Sequence, residues 1–231
     1  MNRDNKFRSG TLLIFILTAG VFGIINTEMG VIGILPLIAE NFHVTVPQAG
    51  WTVSVFALVV AAAAPITPLL FSGFNRKKMM LWAMGLFTLS NVISMLTTNF
   101  SVLLIARVLP AFLHPVYISM ALTVAASTGD KSHAQKNVAR IFIGVSAGMV
   151  LGVPVTSYIA SEISLEMGML FFTLVNALVL VATILFVPSM PVLQKLSYGT
   201  QLSVLKKKIT WYSIASITFI NGALFGFFSY M

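Results

Sequence analysis

Chemistry in this sequence is sought first where an acid interrupts an apolar run. Glu28 stands in Asn26-Thr27-Glu28-Met29-Gly30-Val31-Ile32-Gly33-Ile34-Leu35-Pro36, which sets a carboxylate, two glycines and a proline among residues suited to hydrocarbon. A charged side chain well inside a membrane helix costs at least about 2.5–3.5 kcal/mol on insertion scales, so such an acid is read as functional and a partner is sought for it. Arg107, the one base inside a comparable apolar run, is the partner expected. A carboxyl group that alternates between an apolar surrounding and a guanidinium has two proton affinities, as a proton-driven exchanger requires. A static ion pair that fixes helix packing is the competing reading; an Arg107 that snorkels outward and never meets Glu28 is another. His114, about two turns from Arg107, is expected either as a proton relay or as a hydrogen-bonded packing residue before Pro115.

The elements that must position these residues follow from composition. Of 231 residues, 58% are hydrophobic and 9% charged, with a mean hydropathy of +0.95, whereas a soluble domain carries roughly 25% charged residues. Long apolar runs predict membrane-spanning helices, because lipid leaves only helices and closed barrels able to satisfy their own backbones. Spans are predicted at about 11–35, 48–72, 79–97, 101–126, 138–162, 167–188 and 209–231. Arg3, Lys6 and Arg8 precede the first run as in a signal peptide, but the run is too long and no small-residue cleavage site follows, so it is read as a retained span.

Charge placement then gives topology. Thirteen of the 14 Lys and Arg fall before span 1, after span 2, after span 4 or after span 6, and the fourteenth is Arg107. That asymmetry predicts a multi-pass protein of the cell inner membrane with its N-terminus in the cytoplasm. The net charge of +8 is therefore read as topology, not as a nucleic-acid surface. Glu28 and Arg107 lie roughly 10 Å and 9 Å below the outer ends of their helices at 1.5 Å per residue, a common depth. Trp51, Trp82 and Trp211 fall near span ends, where amphipathic rings settle.

Other chemistries are poorly supplied. There is no cysteine, so disulfides, Fe–S clusters and thiol catalysis are excluded. His43, His114 and His133 are scattered, and neither an HExxH pattern nor a phosphate-cradling glycine loop is present. An enzyme, a metal site and ATP-driven transport are not expected, and no cofactor is, a proton gradient being the energy source. Two backbone devices remain. Gly144-x-x-x-Gly148-x-x-x-Gly152-x-Pro154 gives span 5 a glycine stripe that lets a helix approach closely, for packing, gating or sealing. Span 2 ends with Pro65-x-x-Pro68, and Gly73-Phe74-Asn75-Arg76-Lys77-Lys78 after it makes a tight cytoplasmic turn, read as a topology anchor.

Together these residues resemble the major facilitator superfamily, in particular drug- and sugar-efflux proton antiporters of the arabinose-efflux type. Thr27 to Ala39 resembles the family's first-helix signature, Arg107 stands where its fourth-helix motif places an arginine, and Gly144 to Pro154 is similar to its fifth-helix antiporter motif. Pro65 to Lys78 resembles the loop motif but lacks its aspartate. The fourth helix has Leu109-Pro110-Ala111 in place of the usual Gln-Gly, and Val155-Thr156 replaces a second glycine pair.

The resemblance implies an all-α transmembrane fold: a six-helix N-terminal bundle of three plus three helices over 1–188, a basic cytoplasmic linker over 189–208, and a seventh helix over 209–231 that starts a C-terminal bundle. It also implies alternating access, with proton entry coupled to export of a small drug-like or sugar-like compound. Glu28 would be the protonatable group and Arg107 its electrostatic switch. Asn26, His114 and Tyr117 are expected to line the cavity, Gly144, Gly148, Gly152 and Pro154 to pack or gate, and Gly73, Arg76 and Lys77 to form the cytoplasmic loop motif. Protons, a small substrate and the bilayer are the expected partners. The family has twelve helices, so the chain is expected to be a truncated transporter, a half that pairs with another chain, or a non-transporting membrane fragment.

Overall fold

The computed structural model describes residues 3–129, 131–192 and 206–229. It divides into two units, Met1–Val192 and Leu193–Met231. Most of the expected linker, with Lys195, lies outside the described residues. Among the described residues there is helix and no strand. Among the described residues, six stretches are long and apolar enough to cross a membrane: Gly10–Asn41, Val46–Ala63, Arg76–Leu96, Phe100–Ser127, His133–Glu162 and Leu165–Phe186. They are numbered here as spans 1 to 6. In the second unit Lys208–Ser229, the stretch expected as a seventh span, is a single helix.

Four of the six spans are interrupted where the sequence removes a hydrogen bond or a side chain. Span 1 is α1 (Arg3–Met29), a 3-10 turn (Ile32–Ile34) and α2 (Leu35–Asn41). It breaks at Gly30-Val31, and Pro36 lies at the start of α2, where its missing N–H is harmless. Span 2 is a short α3 (Val46–Ala49) and α4 (Trp51–Ala63), with a turn, α5 (Thr67–Leu70), beyond it. The helix expected to run on to residue 72 stops at Ala63, because Pro65 and Pro68 cannot donate to the carbonyls a turn before them.

Span 3 is the continuous α6 (Arg76–Leu96), started by Asn75, whose side chain accepts from the Lys78 N–H at 3.3 Å. Span 4 is α7 (Phe100–Ala111) and α8 (His114–Ser127), separated at Phe112-Leu113 between Pro110 and Pro115. Span 5 is α9 (Lys131–Val150) and α10 (Gly152–Glu162), parted at Leu151 three residues before Pro154. Span 6 is the unbroken α11 (Leu165–Phe186), capped by Ser164.

The apolar interior of the first unit comes in two clusters. One gathers Leu17, Val21 and Ile24 of α1, Phe56 of α4, Met80, Met84 and Phe87 of α6, and Tyr117 and Ala121 of α8. The other gathers Val31, Ile34 and Ile38 of span 1, Leu103 of α7, Ala160 of α10, and Leu165, Met169 and Phe172 of α11. Along span 1 the changeover falls between Met29 and Val31, just after the polar run Asn26-Thr27-Glu28. Along span 4 it falls at Arg107, and along span 6 at Thr173 and Asn176. A polar belt therefore lies between two apolar layers.

Candidate functional site

The belt is built from helix ends as well as side chains. A helix leaves its last four carbonyls without intrahelical partners, and α1 ends at Met29, in mid-span. The Gly30 N–H takes the Asn26 carbonyl at 2.9 Å. Thr27 finds a different partner: the Arg107 Nη2 donates to its carbonyl at 3.2 Å while Nε donates to the Thr52 carbonyl at 3.0 Å. Arg107 is only 6% exposed, and its guanidinium carbon stands 5.4 Å from the centre of the Phe56 ring. A cation buried at the negative end of α1, over an aromatic face, has three sources of compensation.

Glu28 does not pair with Arg107. Its Oε2 lies 3.1 Å from Nε2 of His114, the residue that opens α8, and the two side chains are 15% and 12% exposed. The approach is off the line of a ring N–H, so it is a close polar contact that becomes an ion pair when the ring is protonated, and not an aligned hydrogen bond; neither ring nitrogen has an aligned partner among the described residues. The expected Glu28–Arg107 pair is replaced because the break in α1 offers Arg107 a free carbonyl one residue before Glu28. Phe56 joins the two halves of the site, its ring lying edge-on to His114 at a centroid distance of 6.0 Å.

His114 also stands at one end of a groove of about 580 Å³ between spans 2 and 4. Val60, Ala64 and Pro68 line one side, and Pro115, Ile118, Ser119, Leu122 and Thr123 the other. Two residues expected to line a cavity do not line this groove. Asn26 and Tyr117 are fully buried. Tyr117 packs where the missing side chain of Gly20 leaves room, and Asn26 packs against Gly152, where a Cβ would meet its Oδ1. Neither amide atom of Asn26 has a hydrogen-bond partner among the described residues.

The glycine stripe of span 5 lies on span 1. A Cβ at Gly144 would meet the Thr18 carbonyl, and one at Gly148 would lie 2.8 Å from Ile25 Cβ. Pro154 belongs to the break just beyond the stripe. The loop after span 2 turns to the end of span 6. Lys77 Nζ donates to the Ile184 carbonyl at 2.9 Å, Asn75 Nδ2 to Ser189 Oγ at 2.8 Å, and the Arg76 N–H to the Met190 carbonyl at 3.1 Å. Gly73 lies in the turn that precedes them.

Sequence reasoning missed two members of the belt. Asn176 Nδ2 donates to Thr27 Oγ1 at 2.9 Å and to the Phe172 carbonyl at 2.9 Å, and Asn91 Nδ2 donates to Thr27 Oγ1 at 3.2 Å. Both were detectable, each being an amide inside an otherwise apolar span, and an amide in hydrocarbon needs partners.

The family model described as Major Facilitator Superfamily matches residues 12–231. The chain belongs to that superfamily. It is 32% identical over 87% of its length to an uncharacterized MFS-type transporter, YtbD, of Bacillus subtilis (strain 168), covering 49% of that protein. It is 28% identical over 93% of its length to the inner membrane transport protein YdhP of Escherichia coli (strain K12), covering 55% of it. It is 27% identical over 95% of its length to the putative transporter AraJ of the same organism, covering 56% of it. The chain thus spans about half the length of the curated relatives it matches. Solved structures agree on the fold: the human organic anion transporter MFSD10 has a TM-score of 0.64 at 19% identity over 84% of this chain and 52% of that one. A peptide transporter, POT, crystallised with sulfate, has a TM-score of 0.70 at 12% identity over 90% of this chain and 45% of that one. The resemblance to the major facilitator superfamily is thereby confirmed, as is the all-helical transmembrane fold.

Proposed function

We propose that this bundle takes part in proton-coupled export of a small drug-like or sugar-like compound by alternating access, with Glu28 as the protonatable group. The observation that carries the reading is the Glu28–His114 contact, partly open at the end of an apolar groove, one residue from a carbonyl that holds a buried Arg107. Arg107 serves as a fixed positive charge beside the site, since a guanidinium stays charged in proteins. Broken spans around such a site are the arrangement transporters use to expose backbone polar groups only toward a cavity.

The orientation that fits the basic loops puts the N-terminus in the cytoplasm, and the membrane is the cell inner membrane. The relatives are about twice as long. That ratio supports a second reading, in which this bundle acts as one half and needs a second six-helix bundle, from the same polypeptide or from another, to close the cavity.

The test is transport in liposomes with and without an imposed pH gradient, with ethidium and arabinose as separate probes. Gradient-driven movement of either probe is expected, with loss of at least about tenfold in Glu28→Gln at unchanged protein content, since the protonatable group is then gone. Undiminished gradient-driven movement in Glu28→Gln would remove the coupling role.

A further inference from the structure

We infer that Glu28 and His114 form one site able to hold two protons, with the imidazole as its second proton carrier. The use of that site in transport rests on the exchanger reading above; its ability to bind protons does not.

The geometry supplies what proton sharing needs. Nε2 and Oε2 are 3.1 Å apart; both ring nitrogens are buried while the Glu28 side chain is 15% exposed, so the carboxylate is the side from which protons reach the pair. Neither ring nitrogen of His114 has an aligned hydrogen-bond partner among the described residues; the carboxylate 3.1 Å from Nε2 favours a hydrogen there, which leaves the ring's lone pair on Nδ1. The edge contact with Phe56 orients the ring without using either nitrogen.

No other interior group competes. The elements packed on α8 are α1, α4, α5, α6, α7 and α9. Along α4 and α5 there is no ionisable residue. On α6 the charges are Arg76, Lys77 and Lys78 in its first turn, and on α9 they are Lys131, His133, Lys136 and Arg140 in its first half. Arg140 shares a level with Thr18, whose Oγ1 donates to its carbonyl at 3.3 Å, and Thr18 lies about 15 Å along α1 from Glu28. On α1 itself, Arg3, Asp4, Lys6 and Arg8 are further away still. Within α8, Tyr117 is buried against Gly20. That leaves Glu28 and Arg107 facing His114, and Arg107 is committed to two carbonyls.

Protons then add in two steps. The first goes to the ring nitrogen that lacks a hydrogen and gives an imidazolium beside a carboxylate. The second goes to a Glu28 carboxylate oxygen, and release reverses the order. The pair carries one negative charge, then none, then one positive, against the constant charge of Arg107. The groove end is thus reset twice in a full cycle instead of once.

The experiment is an NMR titration of the full chain in detergent micelles, following the imidazole Cε1–H signals. His43→Asn and His133→Asn together leave His114 as the one histidine, and asparagine suits the positive φ of 52° at His43. The His114 signal is expected to move with pH, as it must if the ring takes up a proton. Its pH response is expected to differ between this background and the same background with Glu28→Gln, because the carboxylate beside the ring is then gone. A signal that does not titrate, or equal pH responses in the two proteins, would overturn the inference. Should Glu28→Gln lose its helical circular dichroism, Glu28→Met, which also removes the carboxylate, is read by the same criterion. Coupled titration without gradient-driven transport would sink the exchanger and leave the proton pair; gradient-driven transport with uncoupled titration would do the reverse.

Discussion

Spans 3 and 6 run unbroken, whereas spans 1, 2, 4 and 5 each stop and restart inside or at the end of the apolar stretch. The two groups carry different chemistry. The continuous helices contribute the amides Asn91 and Asn176, which donate to Thr27 and keep their backbones fully bonded within the helix. The interrupted helices contribute Glu28, Arg107 and His114, together with the carbonyl of Thr27 that an unbroken α1 would have used itself. A charge can be held in hydrocarbon where a helix ends, because a helix end offers unpaired polar groups and an uncancelled dipole. A continuous helix offers neither, and polar residues on it are limited to neutral donors.

The contrast can be broken most severely at the glycine stripe. Gly148→Leu places a Cβ 2.8 Å from that of Ile25, and overpacking of this kind costs about 1–3 kcal/mol or more. Thermal unfolding in micelles is expected to show the largest loss here, because spans 1 and 5 must separate. Arg107→Met comes next. It leaves the Thr27 carbonyl without its donor, and a hydrogen bond from a charged group is worth about 1.5–3 kcal/mol; a melting temperature equal to wild type would mean that the carbonyl is satisfied some other way.

On the continuous side the effects are expected to be smaller. Asn176→Leu removes donations to Thr27 and to the Phe172 carbonyl, and interhelical bonds in membranes average about 0.6 kcal/mol each. Its predicted signature is a modest drop in melting temperature with the His114 titration unchanged, which separates the scaffold from the charged site. Smallest of all is Lys77→Met, which takes a cation from the last turn of α11 at a cost of about 0.3–1 kcal/mol. A loss from Lys77→Met as large as that from Arg107→Met would erase the distinction between interior and end.

The sequence was most legible where it was most extreme. Apolar runs placed the six spans, and Glu28 and Arg107 stood out as the charges among them; their shared level follows from a fixed rise per residue. Who touches whom was not legible. Rise gives depth but not the direction a side chain takes around the axis, and each interruption resets that direction for everything after it. The interruption at Phe112-Leu113 is what brings His114 to the first position of α8 and so to Glu28. Tyr117 and Asn26 were misplaced for a related reason: an aromatic or an amide looks equally suited to a cavity wall or a helix seam, and small residues opposite, Gly20 and Gly152, decide for the seam. Pro65 and Pro68 were visible but were read as compatible with a longer helix, where their missing donors end it.

The belt between the two apolar clusters has a mechanical consequence. Oily contacts above and below it are indifferent to small screws of one rod against its neighbours, whereas Asn91 and Asn176, both aimed at the one hydroxyl of Thr27, accept a single alignment. Three rods are thus keyed at one height, and any rocking of the assembly must pivot about that key or break it.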